Sequence, residues 1–272
     1  MIISPLATVA AAIACGLFAR GFLKLRRRRR DYAGWNRALL FGCAVVAGLV
    51  ALSAPLDELA EESLAAHMLQ HVLLMDVSPA LGLVAIRGPL LFFVVPELVL
   101  RAVSRSRRAR RVLAALTRPL AAFGVWAATL GVWHLPVVYE AALANEPLHV
   151  LEHVSFLAAG TLAWIQVVDP ARRRVLGTVG RLGFLLAMFV AGQMLATTLV
   201  LSQTPLYDSY AGPGGGLLGL SALEDQDAAG LVMMLEQMLV LGVAAFVLVR
   251  RHLDESSAAA SALEPPPHPF VA

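Results

Sequence analysis

Charge is scarce in this 272-residue chain: Asp, Glu, Lys and Arg make up 15% of it, where a soluble domain carries about a quarter. So little charge cannot coat a water-facing surface, which excludes an ordinary soluble globule. Lysine is almost missing. Lys24 is the only one, and its place at a helix end leaves no site for the Schiff base of a retinal pump. Cysteine is limited to Cys15 and Cys43, both inside apolar runs, which excludes a disulfide framework and zinc-knuckle spacing. Buried thiols of this kind read as small hydrophobes. The net charge of +3 does not call for nucleic acid, because in so apolar a chain the location of charge outweighs its total.

What the chain has instead is hydrophobic length. Apolar residues are 58% of the sequence, and they recur in runs near the ~20 residues needed to cross a bilayer. The expected fold is all-α: a polytopic transmembrane bundle of about seven spans filling residues 1–253, with a disordered, Ala-, Ser- and Pro-rich cytoplasmic tail over 254–272. The spans are placed at about Ile2–Leu23, Ala38–Leu56, Leu64–Ile86, Leu120–Tyr139, His149–Val168, Leu182–Ser202 and Ala228–Val249. Leu90–Val103 is apolar but short, holds Pro96 and Glu97, and runs into the arginines of 101–111, so it reads as an amphipathic segment on the membrane surface.

Basic residues settle the expected orientation. Arg26–Arg30 follow the first apolar run rather than preceding it, the reverse of a secretory signal, so the first helix reads as a permanent span with its N-terminus outside. Seven spans then put all 22 Lys and Arg on or near the cytoplasmic side, with the C-terminus cytoplasmic and Asp57, Glu58, Glu140, Asp208 and Glu224 outside.

Five of the seven histidines gather at the expected outer ends of three spans. His67 and His71 are four apart, as are His149 and His153, and His134 stands near the end of the fourth span. Residues at i and i+4 share a helix face about 6 Å apart along the axis, so each pair can offer two imidazoles to one ion. Imidazole suits copper, zinc, iron and nickel, and thioether sulfur favours Cu(I). Met75, one turn beyond His71, and Glu152, inside the His149–His153 run, are further candidate ligands. The plainer alternative is that these histidines only hydrogen-bond between helices. Asp76, Gln193 and Glu236 are deeper polar residues, structural or part of a proton or ion path. Helical spacing turns Asp76 about 140° from His71, off the ligand face. Trp133, Trp164 and Tyr139 read as interfacial anchors.

Four ordered motifs resemble the seven-span CtaG family of cytochrome c oxidase assembly factors. They are His67-Met-Leu-Gln-His71 with Ser78-Pro79 following, Trp133-His134-Leu135-Pro136 with Tyr139, His149-Val-Leu-Glu-His153-Val-Ser-Phe156, and Glu224-Asp225-Gln226 leading to Gly230. The resemblance covers roughly residues 36–250. It implies a bacterial cell-membrane (inner or plasma membrane) protein that matures a haem–copper oxidase. Copper held by His67, His71, His134, His149 and His153 would be received from a copper donor protein and inserted into a cytochrome c oxidase subunit. The lipid bilayer is the other expected partner; nucleic acid is not one. The expected protein is not an enzyme. Two other classes remain open at this point: an intramembrane zinc metalloenzyme, in which the H-x-x-E-H order makes Glu152 a general base, and a haem b electron carrier with two axial histidines.

Overall fold

The computed structural model describes residues 5–211 and 219–263, so Ile2–Ser4 of the first expected span, the Gly212–Gly216 stretch and residues 264–272 of the expected tail lie outside the described residues. Among the described residues every regular element is helical.

Among the described residues six helices have the length and apolarity to cross a membrane, and a bent pair counted as one span brings the number to seven. The first is α1 (Pro5–Arg28), followed by α2 (Trp35–Ala51), which ends earlier than its sequence placement at Leu56. A short α3 (Leu56–Glu62) leads to the third span, which is built from α4 (Leu64–Val72), a π-helical turn at Leu73–Val77 and α5 (Ser78–Ile86). Next come α6 (Pro89–Val94), α7 (Glu97–Arg105) and α8 (Arg107–Leu116). Neither α6 nor α7 is long enough to span, whereas α8 is the first arm of the bent pair and meets Pro119–Trp133 at 71°. Gly88, with φ at +82°, turns the chain, Pro96 breaks it again, and Leu90 of α6 packs against Phe18 and Phe22 of α1.

The fourth span departs from its expected extent. α9 (Pro119–Trp133) stops short of Tyr139, which lies on a separate helix, α10 (Pro136–Leu143). Pro136 lacks an amide hydrogen, and the residue before a proline is forced out of helical conformation. Leu135 accordingly sits at φ −67°, ψ 126°, which leaves His134 at the helix end rather than within a continuous span. The remaining spans are α11 (Glu146–Val168), α12 (Thr178–Leu201) and α13 (Ala222–Leu263). α13 runs past Asp254, where the sequence reading begins the tail, as far as Leu263.

The third span and α11 form the centre. In their most apolar stretches 56% and 50% of residues are buried, against 22% for α1 and 11% for α2. Gly160 makes that centre possible: a Cβ there would stand 1.8 Å from the Met75 carbonyl oxygen, so only glycine lets α11 press on the π turn, in the way small residues let membrane helices approach.

The two ends differ in chemistry. At one, Arg37 donates to the Ala85 and Arg87 carbonyls, Arg173 donates to Thr117, and Arg181 pairs with Asp169 at 3.0 Å. At the other lie the five histidines, Ser63, Tyr139, Tyr210 and Asp225.

Candidate metal centre

α4 begins under external control. Ser63 caps it by accepting from Ala66, and the Asp225 carboxylate of α13 accepts from the Leu64 amide at 2.6 Å and the Ser63 hydroxyl at 2.7 Å. A carboxylate at a helix N-terminus satisfies amides that have no partner within the helix and suits the helix dipole. Gln226, the next residue, accepts from the Leu206 amide and donates to the Leu199 carbonyl. It thereby ties the loop carrying Tyr207 and Tyr210 to the bundle.

From α4 so placed, His67 and His71 project one turn apart, ring centroids 4.4 Å from each other. His149 and His153 do the same on α11 at 4.3 Å. The pairs face one another: the His67 ring is 5.3 Å from His149, and His71 is 5.7 Å from His153. Glu152 points between them, 3.4 Å from His71 Nε2 and 3.9 Å from His67 Nε2. One donor atom each from His67, His71, Glu152 and His153 lies within 4.8 Å of the other three. A tetrahedral ion with bonds of roughly 2.0–2.1 Å holds its donors roughly 3.3–3.4 Å apart. The His71–Glu152 distance is already there, and His67 Nε2 is 3.9 Å from the same carboxylate.

The cluster is electrostatically unfinished. His67 Nε2, both His71 nitrogens, His149 Nε2, His153 Nε2 and both Glu152 oxygens are buried without a hydrogen-bond partner. Each such group costs about 1–3 kcal/mol, and a cation bound among them would relieve several at once.

Hydrogen bonding selects which nitrogens face inward. Tyr210 donates its hydroxyl to the Ala60 carbonyl, so its oxygen accepts from His67 Nδ1 at 3.1 Å and from the Tyr139 hydroxyl at 3.0 Å. His67 therefore carries its proton on Nδ1 and turns a bare Nε2 toward Glu152. Burial holds the phenols of Tyr139, Tyr207 and Tyr210 well above the ordinary tyrosine range, which keeps these hydroxyls protonated. Tyr207 donates to the His134 carbonyl at the helix break.

The structure does not bring all the sequence candidates together. His67, His71, His153 and Glu152 form the four-donor group. His149 is half-buried at its rim. His134 is outside that group although its ring is 5.8 Å from His71: its Nδ1 donates to the Leu130 carbonyl at 2.7 Å and its Nε2 lies 3.2 Å from Met68 Sδ. Met75 lines a cavity of about 20 Å³ beside His134, Met68 and His71, with Asp76 and Glu236 also on its wall.

Several partners carry no signal at helical spacing. Met68 is off the face shared by His67 and His71, and Tyr210 ends a single 3-10 turn, Asp208–Tyr210, in the connection between α12 and α13. Asp76 reaches the cavity because the wider π turn resets the angle that regular spacing predicts, and it accepts from Trp164 at 2.8 Å. Trp164 and Tyr139 are buried, 2% and 1% exposed, so neither is an interfacial anchor. Trp133 is likewise buried and donates to Ser155.

The family model described as cytochrome c oxidase caa3 assembly factor (Caa3_CtaG) matches residues 16–255. The chain belongs to the Caa3_CtaG family. No curated protein and no solved structure matches it. The match contains every candidate ligand, and the Caa3_CtaG motifs acquire physical roles here. Two supply the facing pairs, His67/His71 and His149/Glu152/His153. The Trp133–Pro136 run ends a helix at His134, and Asp225 with Gln226 fixes the start of α4 and the tyrosine loop.

Proposed function

We propose that this member of the cytochrome c oxidase assembly factor family takes up copper as cargo at His67, His71, Glu152 and His153 and yields it to an oxidase subunit. The observation that carries the reading is the convergence of three imidazoles and a fully buried carboxylate, from two helices, whose Nε2 atoms and carboxylate oxygens have no hydrogen-bond partner. Imidazole and carboxylate suit a divalent ion, and among such ions copper binds most tightly at a given site; zinc is the runner-up. Glu152 supplies the counter-charge that a cation in a dry interior requires. Tyr210 fixes the His67 ring with Nε2 inward, and His149 at the rim is positioned to receive copper from a donor protein. The acidic loops at this end and the arginines at the other support an outward-facing site in a bacterial plasma membrane.

Full burial of Glu152 favours a ligand over the general base of a peptidase. Ring separations of 5.3 and 5.7 Å between facing histidines suit one small ion better than an interposed haem. The expected role is non-catalytic.

The test is metal analysis of purified wild type beside His67→Ala and His153→Ala, with oxidase copper content and activity measured in cells carrying each. One divalent copper per chain, lost in both variants together with oxidase activity, is the expected result. A wild-type protein that binds no copper, or variants that leave the oxidase fully active, would overturn the reading.

A further inference from the structure

His134 and Met68 meet in a way that ordinary hydrogen bonding does not account for. The Leu130 carbonyl can only accept, so His134 Nδ1 carries the ring proton that donates to it at 2.7 Å. In a neutral imidazole the lone pair is then on Nε2, and Nε2 stands 3.2 Å from the Met68 sulfur. A thioether offers no proton, so two lone-pair atoms touch in the interior, with His134 5% and Met68 0% exposed. A cation bound to both removes that conflict, and metal–nitrogen and metal–sulfur bonds of roughly 2.0–2.3 Å span the separation.

The surroundings define which cation. The contact borders the cavity of about 20 Å³, whose wall also carries the Met75 and Met233 side chains and the His71 ring. A space of that size holds one water or one ion. Three thioethers and two imidazoles form a soft donor set, which selects Cu(I) over zinc and over divalent copper. Glu236, also in the lining, has both carboxylate oxygens buried and without a partner, a counter-charge for a monovalent ion. Asp76 is committed to Trp164.

We propose that Met68 and His134, supported by the thioethers of Met75 and Met233, form a second metal position selective for Cu(I), separate from the carboxylate–histidine cluster and meeting it at His71. His71 belongs to both walls: its Nε2 is 3.4 Å from Glu152, and its ring lines the thioether cavity. Where the first position takes copper as proposed above, the protein has two copper positions of different hardness that share one side chain. The Cu(I) position itself rests only on the Met68–His134 geometry.

The test uses the full chain in detergent, loaded under anaerobic reducing conditions with Cu(I) from a competing chelator, and separately with Zn(II). Copper X-ray absorption reports sulfur neighbours. Wild type is expected to take two Cu(I) with sulfur in the first coordination sphere, but one Zn(II). Met68→Leu, close in volume, should drop to one Cu(I), lose the sulfur scattering and keep its Zn(II), which also shows that it folds. A Glu152→Gln/His153→Ala double variant should lose Zn(II) and keep one sulfur-ligated Cu(I). If Cu(I) in wild type shows only nitrogen and oxygen neighbours, or Met68→Leu keeps both Cu(I), the second position is refuted. If wild type binds no Zn(II) or divalent copper yet shows sulfur-bound Cu(I), the first reading fails and this one stands.

Discussion

The Asp225 carboxylate on the last helix accepts the Leu64 amide at 2.6 Å, so the start of the helix that carries His67 and His71 is set by a residue about 160 positions further along the chain. Asp225 is 1% exposed. Its bonds to Ser63 and Leu64 are charge-assisted and buried. Asp225→Ala should therefore cost about 1.5–3 kcal/mol and weaken metal binding at His67 and His71, while Glu62→Ala, an exposed acid beside Ser63, should do neither. Thermal unfolding in detergent and a zinc titration on both variants check this. Equal effects of the two changes would show that charge near the helix end matters, and not this cap.

Tyr210 accepts from His67 Nδ1 and so keeps Nε2 bare for an ion. Tyr210→Phe removes the acceptor with almost no change in volume. The loss of such a supporting bond lowers metal affinity by about 10–100-fold in other sites, and a drop in that range is expected here with the fold intact. Circular dichroism beside the metal titration separates the two. Unchanged affinity would mean that His67 is oriented by packing alone.

Gly160 faces the Met75 carbonyl so closely that Gly160→Ala must move a backbone. Overpacking of this kind costs about 1–3 kcal/mol where the site can relax, and a clash at 1.8 Å with a carbonyl oxygen belongs at the upper end or above it. Displacing α11 from the π turn also pulls Glu152 and His153 from His71, so metal affinity should fall together with thermal stability. By contrast Gly124→Ala, where a Cβ meets nothing within 4 Å, is expected to be neutral or mildly stabilising in its helix.

Alkaline titration tests the tyrosine cluster. Burial raises the phenols of Tyr139, Tyr207 and Tyr210 above their unfolded value, which is about 10. A raised folded value means that the folded state holds its proton more tightly, so the stabilising contribution is complete below about pH 10 and declines as pH rises beyond it. Ultraviolet tyrosinate absorbance should show these three phenols ionising late and together with loss of native structure. Reversible ionisation of all the tyrosines near the ordinary value, with the fold retained, would contradict the hydrogen-bonded cluster.

Hydrophobic length and helical period are local properties, which is why the spans were legible. Leu64–Ile86 was predicted to the residue, and the pairing of His67 with His71 and of His149 with His153 follows from four-residue spacing alone. Continuity fails where a proline intervenes: Pro136 ends α9 at Trp133 and separates it from Tyr139. Trp164 and Tyr139 have the composition of interfacial anchors, yet they are interior residues because Asp76 and Tyr210 wait for them on other elements.

The sequence by itself determined that this is a membrane bundle, that four of its imidazoles stand in pairs one helical turn apart and that its charges divide between two ends, since composition and periodicity act over a few neighbouring residues. Which pairs face each other was decided only by tertiary structure. So was the placing of Glu152 between His67 and His71, of Met68 against His134, and of Asp225 at the head of α4. Those contacts join residues tens to more than a hundred positions apart. They depend on the close approach at Gly160 and on the π turn that rotates Asp76 inward, neither of which leaves a periodic trace.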